Sequence, residues 1–155
     1  MLAKGDVNFL VVGGIAVSFN GFDRATVDVD ILVEPSQANL VRLLKTLSHF
    51  GEGFARELKP EDFVLQEGSV RIGEHFDLDI FVQMKGLKYH DMIKDSRQTI
   101  LGGKPIHYLN SSQLIFLKKD SCREKDRLDV QALTTILKEQ MQQASNPAGG
   151  SGLKA

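Results

Sequence analysis

Asp28 and Asp30 are separated by one valine in the run Thr26-Val27-Asp28-Val29-Asp30-Ile31-Leu32-Val33. Strand side chains alternate faces with period two, so both carboxylates project from one face and Val27, Val29, Ile31 and Val33 from the other. Aspartate is disfavoured in strands, and like charges crowded on one face repel unless a cation relieves them. Hard divalent cations take oxygen ligands, and Mg²⁺ is often held by a few carboxylates together with substrate phosphates. The segment Phe76 to Val82 repeats the phase: Phe76, Leu78, Ile80 and Val82 are apolar, while His75, Asp77 and Asp79 point the other way. Upstream, Gly13-Gly14 follows the apolar run Phe9 to Val12. Glycines there permit a tight turn and a close approach of ligand to main chain, and a helix opening on them would turn free N–H groups toward a phosphate.

The elements that must position these groups follow from periodicity and punctuation. Phe9 to Val12 reads as a buried strand, Gly14 to Phe22 as a short helix ended by Gly21, and Asp23-Arg24 as the turn into the aspartate strand. Pro35 stops that strand. Ser36 is an N-cap for a helix in which Leu40, Val41, Leu43, Leu44 and Leu47 recur at helical spacing. Phe54 to Leu58 reads as an edge strand and Pro60-Glu61-Asp62 as a helical turn. Val70 to Ile72 pairs with Phe76 to Val82 as a hairpin, and Ile100-Leu101 with Ile106 to Leu109 around Gly102-Gly103-Lys104 as a second. Tyr89 to Ser96 reads as helical. Asn110-Ser111-Ser112-Gln113 has the form of a capping box and starts a helix to about Lys119. A last helix, Asp126 to Gln140, places Leu128, Ala132, Leu133, Ile136 and Leu137 on one face. The aliphatic faces of the two aspartate strands take the helices, and the acidic face is left as a cleft.

A Gly-Gly turn followed by an Asp-x-Asp strand resembles the nucleotidyltransferase superfamily, the fold shared with DNA polymerase beta. The run Arg24-x-Thr26-x-Asp28-x-Asp30 looks closest to its small bacterial AbiEii-type branch. The resemblance covers about residues 8–137. It implies an α/β (α+β) fold, with a small mixed sheet, helices mainly on one face and an acidic cleft on the other. It also implies metal-dependent transfer of a nucleotidyl group from a nucleoside triphosphate to an acceptor hydroxyl or phosphate, with release of pyrophosphate. Asp28, Asp30 and Asp79 are the implied catalytic and metal-holding residues, with Mg²⁺ or Mn²⁺ as cofactor and Asp79 also placed to help accept the proton. The stretch Leu78 to Gly86 matches the family's third motif and selects Asp79 over its same-face rival, Asp77. Gly13, Gly14, Arg24, Thr26 and Lys118 are the implied nucleotide-binding residues. A fourth motif, Lys118 followed by Arg123-x-Lys125-Asp126-x-x-Asp129, adds Arg123 and Asp129, the latter to orient Lys118 or Arg123. The acceptor is left open between tRNA, a protein side chain and a small molecule. The branch suggests a toxin with an antitoxin protein as partner. The other reading is a non-catalytic nucleotide- or partner-binding module on the same fold.

Composition is that of a globular domain: 155 residues, 42% hydrophobic, 25% charged and a formal net charge of −1, which gives no global pull toward nucleic acid or membrane. The single cysteine, Cys122, cannot form an internal disulfide, and a reduced cytoplasmic setting is expected. No apolar run is long enough to span a bilayer. Residues 1–141 form the expected domain. From residue 142 the composition turns to Ala, Ser, Asn, Pro and Gly, and 142–155 are expected to be a disordered tail.

Overall fold

The computed structural model describes residues 1–146. Six strands form one mixed sheet: β1 (Phe9–Val12), β2 (Asp28–Val33), β3 (Ser69–Gly73), β4 (Asp77–Phe81), β5 (Arg97–Leu101) and β6 (Lys104–Tyr108), in the order β3-β4-β2-β1-β6-β5. The centre is β4, β2 and β1, with β2 parallel to β4 and antiparallel to β1. The hairpins β3–β4 and β5–β6 extend it to either side. Five helices complete the domain: α1 (Gly13–Phe19), α2 (Gln37–Leu47), α3 (Tyr89–Met92), α4 (Ser111–Lys118) and α5 (Glu124–Ser145). No helix among the described residues is long and apolar enough to cross a membrane.

Caps decide where several helices begin. Ser36 Oγ accepts from the Asn39 amide at 3.3 Å, opening α2, and Leu40, Leu43 and Leu47 recur on its buried face. Asn39 is itself fully buried, and its side chain bonds Asn8 N, Asn8 O and Glu34 O, fastening the start of β1 to the end of β2. At α4, Asn110 Oδ1 accepts from Gln113 N and Gln113 Oε1 from Asn110 N, both at 2.9 Å, closing the capping box. Satisfying the first free N–H groups of a helix in this way contributes about 1 kcal/mol.

Both faces of the sheet are covered, which changes the expected layering. Ile31, Val33, Ile72, Leu78 and Ile80 pack with Leu40, Leu43 and Leu47 of α2 in one cluster. The aspartate face is not left open along its length, because Leu32 shares it with Asp28 and Asp30. Leu10, Val12 and Leu32 join Ala16, Val17, Met92, Leu114 and Leu133, from the other four helices, in a second cluster. The cleft is confined to the end of that face where aspartate replaces leucine.

Two local expectations are corrected. Phe54 to Leu58 is not an edge strand; Phe54–Glu57 is a 3₁₀ turn. The carboxylate of Glu74 accepts the backbone N–H groups of Glu52, Gly53 and Phe54, which wraps the segment around that side chain instead of along the sheet. In α5, Leu128 is exposed, and the buried positions are Asp126, Asp129 and Leu133. The helix turns two carboxylates inward because cations wait there. It runs to Ser145, and residues 147–155 of the expected tail lie outside the described residues.

Candidate functional site

A cleft of ≈ 330 Å³ opens where β1 ends, β2 and β4 begin, and α4 and α5 meet. Gly13, Gly14, Arg24, Thr26, Asp28, Asp30, Asp79, Lys118 and Arg123 line it, so nine of the residues singled out in the sequence converge on one space. Asp77 and Asp129 do not line it. Asp77 lies at the start of β4, half exposed and 3.1 Å from Arg71, and Asp129 is buried behind Arg24 and Lys118. The lining is mixed in charge, because Arg71 and Lys125 also enter it.

The carboxylates are set by strand register. Asp30 pairs with Asp79 and Asp28 with Asp77 across the parallel β2–β4 ladder, and paired residues share a face. On the other side Val12 is opposite Asp30, so the chain turns into α1 directly beside that carboxylate. Gly13 makes the turn at φ +61°, and a Cβ on it would sit 2.0 Å from Asp30 Oδ2. Glycine is required there twice over, by backbone angle and by space.

The two facing carboxylates have opposite tendencies. Burial pushes the Asp30 carboxyl above its ordinary range, the charges of Asp79 and Asp28 push it further, and Lys118 and Lys125 offset this only in part. Asp79 is held below its ordinary range by hydrogen bonds from Arg71, against the opposing effect of burial. Arg71 Nε and Nη2 reach Asp79 Oδ1 and Oδ2 at 2.8 and 2.7 Å, a two-pronged pair. Arg71 stands opposite Asp79 in the β3–β4 ladder. Its position between Val70 and Ile72 in a hairpin arm carried the signal that places it on the aspartate face.

On the far wall a network of ions joins β2's approach to α4 and α5. Arg24 Nε and Nη2 donate to Asp129 at 2.6 and 2.8 Å. Lys118 Nζ reaches Asp126 at 2.5 Å and Asp129 at 3.0 Å. Ser121 Oγ and Arg123 Nε complete the shell of Asp126 at 2.6 and 2.7 Å. Burial pushes Asp126 upward, and hydrogen bonds from Lys118, Ser121 and Arg123 more than reverse it, leaving a pKa of about 2. Asp129 therefore orients Lys118 and Arg24, not Arg123, whose partner is Asp126. The guanidinium fork of Arg24, expected at a phosphate, is closed on Asp129. Asp126 lay unremarked in the fourth motif; its three-residue spacing from Asp129, with Leu133 four further on, marks one helix face.

Oxygen is the donor that hard divalent cations take. Asp28, Asp30 and Asp79 offer oxygen only, and Asp30 is burdened by the neighbouring negative charges. Among the described residues, no three histidine, cysteine or carboxylate groups are gathered to hold an ion, and both oxygens of Asp79 are taken by Arg71.

No family model matches the chain, and no curated protein matches it. Among solved structures it is similar to the lincosamide antibiotic adenylyltransferase LnuA in its lincomycin-bound crystal form. The TM-score is 0.56 and the identity 16%, over 86% of this chain and 89% of that one. The fold is a nucleotidyltransferase fold. An antigenic nucleotidyltransferase-like protein from Paracoccidioides brasiliensis also matches, at a TM-score of 0.49 and 13% identity, over 89% of this chain and 71% of that one. Within the nucleotidyltransferase fold of this chain, the cleft lies where the β1–α1 turn meets the aspartate strands.

Proposed function

We propose that this chain is a nucleotidyltransferase. An acceptor oxygen attacks the α-phosphorus of a nucleoside triphosphate, the bond from that phosphorus to the bridging oxygen breaks, and pyrophosphate leaves with that oxygen. The acceptor's proton passes to a carboxylate of the cleft or to solvent. One observation carries the reading: Asp30 and Asp79 stand at one level of the β2–β4 ladder, with Asp28 on the same face and a glycine turn that leaves no room for a Cβ against Asp30. Asp28, Asp30 and Asp79 are the residues that would hold Mg²⁺ or Mn²⁺. When bound, such an ion lowers the pKa of an attacking hydroxyl and neutralises the leaving oxygens. Gly13 and Gly14 let phosphate oxygens approach the main chain, and Thr26 supports the strand entry through its 3.3 Å bond to Asp28 O. Lys118 and Arg24 contribute positive potential from fixed, partly buried positions. Positioning and charge do most of the work in such a reaction.

The acceptor is open between a small-molecule hydroxyl, tRNA and a protein side chain. The fold neighbour, an adenylyltransferase of lincosamide antibiotics, makes small hydroxylated molecules the first class to try. The AbiEii-like role as a toxin paired with an antitoxin rests on the Arg24-x-Thr26-x-Asp28-x-Asp30 run alone. Each labelled triphosphate is incubated with Mg²⁺ or Mn²⁺ and, separately, a panel of antibiotic hydroxyl compounds, RNA and lysate protein. Label transfer with pyrophosphate release, lost in Asp30→Asn, is the expected result. Cation-dependent triphosphate binding with no transfer to any acceptor class would favour the non-catalytic module.

A further inference from the structure

The cleft is lined by five basic side chains that differ in how they are held. Arg24 and Lys118 are nearly buried, with 15% and 11% of their side chains exposed, and each is fixed on the fully buried Asp129. Moving either into the cleft would strand a buried carboxylate, which is expensive. Arg123 is more exposed but is one of three donors to buried Asp126. Lys125 has no ion-pair partner among the described residues and lies on the opposite wall from the strands. Arg71 differs from all four. Its side chain is 54% exposed on a strand at the edge of the sheet, and it spends all three guanidinium nitrogens on Asp79 and Asp77. One of those two carboxylates, Asp79, is also one that the proposed metal site requires.

We infer that Arg71 is the exchangeable cation of this cleft: it holds Asp79 in the free protein and turns to the phosphates of a triphosphate when a divalent cation takes that carboxylate. The inference rests on the nucleotidyltransferase reading of the cleft. A guanidinium fork that fits a carboxylate with two parallel N–H···O bonds fits two phosphate oxygens equally well. The exchange keeps every charge partnered. Asp79 passes from Arg71 to the cation, and Arg71 passes from Asp79 to the anion that arrives with it. Arg71 also stands at the register level of Asp79 and Asp30, beside the reacting end of the cleft.

The consequence is a pair of effects of opposite sign. Arg71 competes with a cation for Asp79 but assists a triphosphate. Mn²⁺ alone is titrated into the wild type, Arg71→Ala and Arg71→Lys, with free Mn²⁺ followed by electron paramagnetic resonance. ATP affinity is measured by calorimetry at saturating Mg²⁺. Arg71→Ala is expected to bind Mn²⁺ several-fold more tightly and ATP roughly tenfold more weakly, with Arg71→Lys between it and the wild type in both. Circular dichroism confirms that each variant is folded, and Arg97→Ala, on the far edge strand, should move neither value. Weaker Mn²⁺ binding in Arg71→Ala, or unchanged ATP binding, overturns the inference. If Asp30→Asn still abolishes Mn²⁺ and ATP binding in the same series, the nucleotidyltransferase reading survives that result. A wild type that binds neither Mn²⁺ nor ATP overturns both.

Discussion

Asp30 and Asp79 face each other at one level of the parallel β2–β4 ladder, and Arg71 serves only one of them. Both oxygens of Asp79 are bonded to Arg71, whereas Asp30 meets burial and two carboxylate neighbours and is pushed upward. Without a divalent cation, ionised Asp30 opposes folding. A group whose folded pKa is raised contributes its stability below the unfolded value and loses it as pH rises through the folded one.

The first prediction follows from that sign. In EDTA at pH 7, Asp30→Asn should melt at a higher temperature than the wild type, because an amide carries no charge to repel Asp79 and Asp28. The difference should shrink as pH falls toward the ordinary range of a free aspartate, about pH 4, and close well below it, where Asp30 is neutral in both folded and unfolded chains. Saturating Mg²⁺ should stabilise the wild type and not the variant, reversing the order. Thermal melts at the two pH values, with and without Mg²⁺, measure all three effects. A variant less stable than the wild type in EDTA at pH 7 contradicts the electrostatic account.

Asp79, not Asp77, should be the essential carboxylate of β4. The side chain of Asp79 is 7% exposed and lines the cleft, while that of Asp77 is 40% exposed and touches only the outer nitrogen of Arg71. Asp79→Asn should reduce transfer by at least about a hundredfold, a loss of some 2.7 kcal/mol in transition-state stabilisation, without unfolding the domain. Asp77→Asn should retain substantial activity. Steady-state transfer rates with circular dichroism compare them, and a dead Asp77→Asn beside an active Asp79→Asn would require the site to be redrawn.

The aspartate strands, the glycine turn and the caps at Ser36 and Asn110 were legible because each depends on local chemistry. Period-two alternation puts Asp28 and Asp30 together, and a cap bonds a residue three positions away. The pairing of Arg24 with Asp129, 105 residues apart, has no local signal, so its guanidinium looked free to take a phosphate. Leu128 misled for a related reason. Helical periodicity could not reveal that partly buried cations from α4 and the β2 approach make the charged stripe of α5 the inward one. Leu32 shows the limit of alternation: it shares the face of Asp28 and Asp30, yet it belongs to the core because four helices cover that part of the sheet. Arg71 was within reach of the same alternation rule that found Asp79, applied to the other arm of its hairpin.

Gly13→Ala should damage the site more than Gly14→Ala. At Gly13 an added methyl would meet Asp30 Oδ2 at 2.0 Å, and φ is +61°; the left-handed backbone alone costs an L-residue about 1–2 kcal/mol. Asp30 must be displaced to admit it. At Gly14 φ is not left-handed, and an added methyl would meet Thr26 Oγ1 at 2.9 Å and Arg24 Nη2 and Thr26 Cβ at 3.1 Å, a smaller overlap than at Gly13. Gly13→Ala should therefore lose measurable triphosphate binding in calorimetry and lower the melting temperature, with Gly14→Ala milder in both. Equal behaviour of the two would show that the contact with Asp30 does not constrain the turn.

The last prediction concerns Asp126, which is buried and accepts from Lys118, Ser121 and Arg123. Removing a buried carboxylate leaves its donors short of a partner, and a hydrogen bond to a charged group contributes about 1.5–3 kcal/mol. Asp126→Ala should lose stability of that order at pH 7 in urea denaturation, and Asp126→Asn somewhat less, since an amide oxygen can still accept. The pH dependence has the opposite sign to that of Asp30. With a folded pKa of about 2 against an ordinary 3.8, the charged form contributes fully above the unfolded value and its contribution fades as pH falls through about 2. The stability gap between wild type and Asp126→Asn should therefore be widest near neutrality and shrink steadily between about pH 4 and pH 2. Lys118 would keep Asp129 as a partner in either variant, so the fold should survive at neutral pH while the wall carrying Lys118 and Arg123 loosens. A gap that stays constant down to pH 2 would mean that the carboxylate's charge is not what holds this wall together.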